Sequence, residues 1–136
     1  MPVEDAAKIK QILEEARTIA VVGASPKPWR DSGVIVQFLV EMGYTVFPVN
    51  PAYDEVSGCK CFPTLTSIEQ PVDIVDIFRR SEDVPPIVDA AIRVGARTVW
   101  MQLGVIHPEA AARAEKSGLE VIMDRCIKIE YQNLLR

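Results

Sequence analysis

The stretch Thr18–Gly33 runs TIAVVGASPKPWRDSG, and its order of features decides the fold. Ile19 to Val22 are four apolar residues in a row, the pattern of a short strand buried on both faces, and they lead straight into Gly23. A turn of small residues follows, with two cations at Lys27 and Arg30, and an apolar helix is expected from about Gly33. Strand, glycine loop and helix in that order hold an anion in doubly wound α/β proteins. Backbone N–H groups and the positive end of the helix dipole converge on the same point.

Working outward, the same alternation continues to the end of the chain. Apolar runs at Ile19–Val22, Thr45–Val49, Asp73–Phe78, Thr98–Leu103 and Leu119–Met123 are the expected strands. Helix-length segments lie between them: Gly33–Met42, Pro85–Val94 and Pro108–Ser117, each followed by a glycine suited to a helix C-cap. Val3–Ala16 and about Arg125–Leu135 are flanking helices, and Asn50–Thr66 is an irregular connection with little or no helix. Pro48 conflicts with a central strand, so the second strand is expected to stop near Phe47. The fold expected is α/β: a single Rossmann-like domain over residues 1–136, a five-stranded parallel sheet in order 3-2-1-4-5 with helices on both faces.

Composition narrows the function. The chain has 136 residues, 49% hydrophobic and 25% charged, within the ordinary range for a globular domain. A net charge of −4 argues against general nucleic-acid binding, so a polyanionic ligand has to be met by a local group of cations. No apolar run reaches the roughly 18 residues of a membrane span, and Met1–Ala16 has no signal-peptide core. Three cysteines fit a reducing compartment better than a disulfide framework, and Cys59-x-Cys61 has no second pair at zinc spacing. The expected location is the cytoplasm, with no metal site.

Ligands of this fold sit outside the carboxyl ends of the strands at the switch point, expected between strands 1 and 4. The loops there are Gly23–Arg30, Val49–Pro51, Phe78–Arg80 and Met101–Gly104, and they carry the cations Lys27, Arg30, Arg79 and Arg80. A dinucleotide site fits poorly. The loop Gly23-Ala24-Ser25 lacks the three-glycine fingerprint, and Asn50 stands where an acid should take the ribose hydroxyls. A P-loop is excluded because no Gly-Lys-Ser/Thr is present.

VVGASP at 21–26, PVNP at 48–51, VDIVDIFRR at 72–80, VWMQLG at 99–104 and MDRCIK at 123–128 together resemble the small CoA-binding-domain proteins. That family is similar in fold to the N-terminal CoA-binding domain of the succinyl-CoA synthetase alpha subunit. The resemblance covers essentially the whole chain. It implies that Gly23, Ala24 and Ser25 cradle phosphate, with Lys27 and Arg30 on the phosphates. It sets Val49, Asn50 and Pro51 beside the adenosine half, and Phe78, Arg79 and Arg80 along the groove. The implied ligand is coenzyme A or an acyl-CoA; the partners expected are another enzyme or a second copy of the chain in a homodimer, the latter consistent with apolar surface on the terminal helices.

No catalytic set is expected. His107, the sole histidine, precedes Pro108 at a helix start, a capping position. Trp100 and Tyr131 are assigned to packing, and Asp124 with Arg125 to a local ion pair. Cys126 or the Cys59/Cys61 pair could form a mixed disulfide with the CoA thiol, although an inert half-buried cysteine is the ordinary reading. Alternatives to a non-catalytic CoA binder are an acyl-CoA enzyme with an unrecognised groove residue and an NAD(P)-binding oxidoreductase-like domain.

Overall fold

The computed structural model describes residues 1–135. Its main sheet contains β1 (Thr18–Val22), β2 (Thr45–Val49), β5 (Ile74–Ile77), β6 (Thr98–Met101) and β7 (Glu120–Ile122), all parallel. The helices are α1 (Ala6–Glu15), α2 (Asp31–Glu41), α3 (Val84–Arg93), α4 (Pro108–Lys116) and α5 (Ile127–Leu135). β3 (Glu55–Val56) and β4 (Cys59–Lys60) form a small antiparallel hairpin within the connection expected to be irregular. A single 3-10 turn, Leu65–Ser67, follows it.

Alternate strand residues face opposite layers, which is why each strand is apolar without interruption. Ala20, Val22, Val75, Ile77, Val99 and Met101 pack under α3 and α4, whose buried face includes Val84, Val88, Ala110 and Ala114. Ile19, Val21, Ile74 and Trp100 pack under α1, α2 and α5 against Ile9, Leu13, Val36, Leu39 and Ile127. Trp100 is fully buried and its Nε1 donates to the Arg125 carbonyl at 2.8 Å, confirming the packing assignment.

Two expectations are corrected. The strand order is β2-β1-β5-β6-β7, so the third long strand pairs with β1 instead of lying outside β2 as the order 3-2-1-4-5 requires. Pro48 lies inside β2, which continues to Val49. Both follow from one edge. The Pro48 carbonyl accepts from Phe62 N at 2.9 Å, so the side of Pro48 that lacks an N–H faces away from β1. Proline is tolerated on such an edge. The residues after the hairpin cover that edge, with Asn50 N donating to the Phe62 carbonyl at 2.9 Å. β5 therefore joins the other side of β1.

The change of order moves the switch point to the gap between β1 and β5. α2 leaves β1 on one face, while α3 and α4 lie on the other. The loop after β5 consequently stands next to the glycine loop after β1, not at a distant sheet edge.

Candidate functional site

Gly23 begins the site because nothing larger fits there. Its φ is +89°, and a Cβ would lie 2.4 Å from the Phe78 carbonyl oxygen and 2.8 Å from Arg79 Cδ. The exits of β1 and β5 are thus in direct contact through this residue. Gly33 plays the matching part in α2, where a Cβ would lie 2.7 Å from the Ser25 carbonyl oxygen and push the helix off the loop.

The loop is braced from within. Gly23 N donates to the Val49 carbonyl at 2.8 Å, and Ser25 N donates to Ser32 Oγ at 3.0 Å. Ser25 Oγ accepts from Lys27 N at 3.2 Å. Two of the three backbone N–H groups expected to face phosphate are therefore occupied by the protein itself. Arg30 is the N-cap of α2 and gives no side-chain cap, which leaves the first turn of that helix open to an anion. Asn50 Nδ2 donates to the Ala24 carbonyl at 2.9 Å while its Oδ1 accepts from Ala52 N at 2.9 Å. The side chain that stands where a ribose-binding acid is absent is a strut between two loops.

These elements border a cleft of about 1130 Å³. Of the residues named from sequence, Gly23, Ser25, Lys27, Arg30, Asn50, Phe78, Arg79 and Arg80 line it. Val49 and Pro51 line a smaller recess of about 340 Å³ that shares Gly23, Arg79 and Asp83 with the cleft. The Ala24 side chain is fully buried, so only its backbone is available. Sequence reasoning missed Ser32 and Lys128, and placed Gln102 only within the loop Met101–Gly104 without singling it out. Gln102 had a signal, a polar residue directly after the apolar run Val99–Met101. Lys128 had none, because only folding brings α5 over this end of the sheet.

Five cations and two carboxylates line the cleft of a chain whose net charge is −4. Arg79 and Arg80 are each held by Asp83, at 3.4 Å and 3.2 Å, and the Arg80 hydrogen bond keeps the Asp83 carboxyl below its usual range. Lys27 and Arg30 make no ion pair among the described residues, although Lys27 Nζ sits 5.5 Å from the centre of the Trp29 ring. The β1 side of the cleft thus carries two unpaired cations and the β5 side two screened ones.

Other candidates separate from the cleft. His107 caps α4, its Nδ1 accepting from Ala110 N at 3.1 Å. Asp124 and Arg125 do not pair: Asp124 Oδ1 accepts from Gly104 N at 2.7 Å, and Arg125 contacts Glu130 at 3.3 Å. Cys61 is buried and Cys59 half-buried, and burial pushes both thiols up, away from the reactive thiolate. Cys126 alone of the three lines the cleft. No group of three or more potential metal ligands occurs among the described residues. No helix among them is long and apolar enough to cross a membrane.

Comparison with known proteins identifies the family. A family model described as a CoA binding domain matches residues 17–132. The chain belongs to the CoA-binding-domain family. It is 40% identical over 125 residues to the uncharacterized protein YneT of Bacillus subtilis, covering 92% of this chain and 93% of that one. A hypothetical protein from Pyrococcus horikoshii OT3 superposes with a TM-score of 0.95 at 38% identity, over 100% of this chain and 97% of the other. An ADP-forming acetate–CoA ligase of Archaeoglobus fulgidus is 26% identical over 121 residues. That match takes in 82% of this chain but only 18% of the ligase, so this CoA-binding-family chain corresponds to one part of a larger enzyme.

Proposed function

We propose that the protein binds coenzyme A or an acyl-CoA in the cleft at the β1–β5 switch point, without catalysis of its own, as a cytoplasmic carrier, sensor or partner of another enzyme. The observation that carries this reading is the concentration of cations around the open first turn of α2 in an acidic chain. CoA bears a pyrophosphate and a further ribose phosphate, so it calls for several cations and no ribose-binding acid. Lys27 and Arg30 take the phosphates nearest α2, with the Ala24 N–H and the Ser25 hydroxyl beside them. Arg79 and Arg80 exchange part of their pairing with Asp83 for the remaining phosphate.

The family membership supports the ligand class, and the likeness to one segment of an acetate–CoA ligase supports a role beside a larger enzyme. The non-catalytic part is supported by the commitment of the sole histidine to capping α4. Calorimetric titration of ligand-stripped protein with CoA, dephospho-CoA and NAD in parallel tests the reading. The expected result is binding of CoA that weakens when the 3′-phosphate is removed. Preference for NAD, or equal affinity for CoA and dephospho-CoA, refutes it.

A further inference from the structure

The cleft is lined by apolar as well as charged side chains. Val34 on α2, Leu103 after β6 and Ile129 on α5 all line it, and each is a large apolar side chain left about half exposed or more, at 52%, 66% and 48%. Single exposed apolar residues are ordinary, but three from separate elements lining one cleft offer surface that an apolar ligand group can cover.

Gln102 supplies an independent observation. The residue is only 5% exposed and lines the same cleft. Its Oε1 accepts from Ile127 N at 3.0 Å at the start of α5, which fixes which end of the amide is oxygen. The Nε2 donors then have no partner among the described residues. The donors are not sealed from solvent, so an acceptor on a ligand in the cleft can reach them, and a carbonyl oxygen is an uncharged acceptor of that kind.

We infer that the cleft also holds an acyl-chain subsite: Gln102 Nε2 donates to an amide carbonyl of the ligand's arm, and Val34, Leu103 and Ile129 cover an apolar acyl chain. The inference rests on the CoA reading above and deepens it. The cations meet the ligand's phosphates, and the apolar side chains of the same cleft are left for its uncharged part. The preferred ligand is an acyl-CoA with a chain of several carbons, in place of free CoA. A protein partner seated on the same patch is the competing occupant, and it predicts no dependence of small-ligand affinity on chain length.

Titration of the full chain with adenosine 3′,5′-bisphosphate, CoA and octanoyl-CoA separates these outcomes. Burying one methylene gains close to fourfold in affinity, so covering even two carbons of the chain makes octanoyl-CoA bind about tenfold or more tighter than CoA. Leu103→Asp, at an exposed position, removes that margin. Gln102→Glu keeps the acceptor for Ile127 N and loses the donor. It is expected to weaken CoA and octanoyl-CoA by about tenfold, the worth of a buried hydrogen bond, and to leave the bisphosphate unchanged. Equal affinity for CoA and octanoyl-CoA overturns this inference and leaves the CoA reading standing. Absence of binding by both overturns the two together. Loss of bisphosphate binding in Gln102→Glu signals a folding defect, in which case Ile129→Asp takes its place with the same expected loss of chain-length preference.

Discussion

Asp76 offers the sharpest test of the physical reasoning. It occupies the middle of β5, flanked in register by Val21 and Trp100, and is completely buried with both carboxyl oxygens lacking a hydrogen-bond partner among the described residues. Burial alone pushes its carboxyl well above the ordinary value of 3.8. In the unfolded chain the group ionises near that value, whereas the native protein keeps the proton. The native state therefore binds one more proton, and stability falls as pH rises, by about 1.4 kcal/mol per pH unit while the native acid stays protonated. Asp76→Asn removes this dependence. The amide also leaves polar atoms unmatched, an offset of about 1–3 kcal/mol that does not vary with pH. Urea unfolding of both proteins from pH 4.5 to 8, followed by Trp fluorescence, isolates the effect in the difference between them. The variant should gain on the parent by about 1.4 kcal/mol for each pH unit, levelling off where the native carboxyl finally ionises. A difference that stays constant across the range would show that Asp76 titrates alike folded and unfolded, and the argument from burial would fail.

Three further outcomes follow from the site. Gly23→Ala forces a side chain into positive φ and against the Phe78 carbonyl, so thermal or urea unfolding should register a loss of about 2–4 kcal/mol; a neutral result refutes the close approach of β1 and β5. Arg30→Ala should weaken CoA binding by about 1.5–3 kcal/mol in calorimetry with little change in stability, and an unchanged affinity removes Arg30 from the site. His107→Ala should lower stability by about 1 kcal/mol through loss of the α4 cap while CoA affinity holds steady; a drop in affinity would contradict its placement away from the cleft.

Much of this protein is legible in one dimension because the relevant physics is local. Uninterrupted apolar runs such as Ile19–Val22 are dictated by burial on both sheet faces, and they mark the five strands of the main sheet within a residue or two. His107 before Pro108 announces a helix start through capping chemistry alone. The glycine loop and its cations were recognisable because a phosphate-type loop needs small residues at fixed places along the chain.

Strand order was not legible, since any parallel strand can pair with any other on local grounds. Only the covered outer edge of β2, with Pro48 facing it, sends β5 to the far side of β1. That choice set Arg79 and Arg80 beside Gly23 and moved the switch point. The places of Lys128, Val34 and Ile129 in the cleft are likewise products of three-dimensional packing. The sequence by itself determined the strands, the layers and the glycine loop with its cations, because each depends on neighbours along the chain. The tertiary structure decided which loops meet and which side chains share the cleft, because those depend on hydrogen-bonded edges and helix packing between residues distant in the chain.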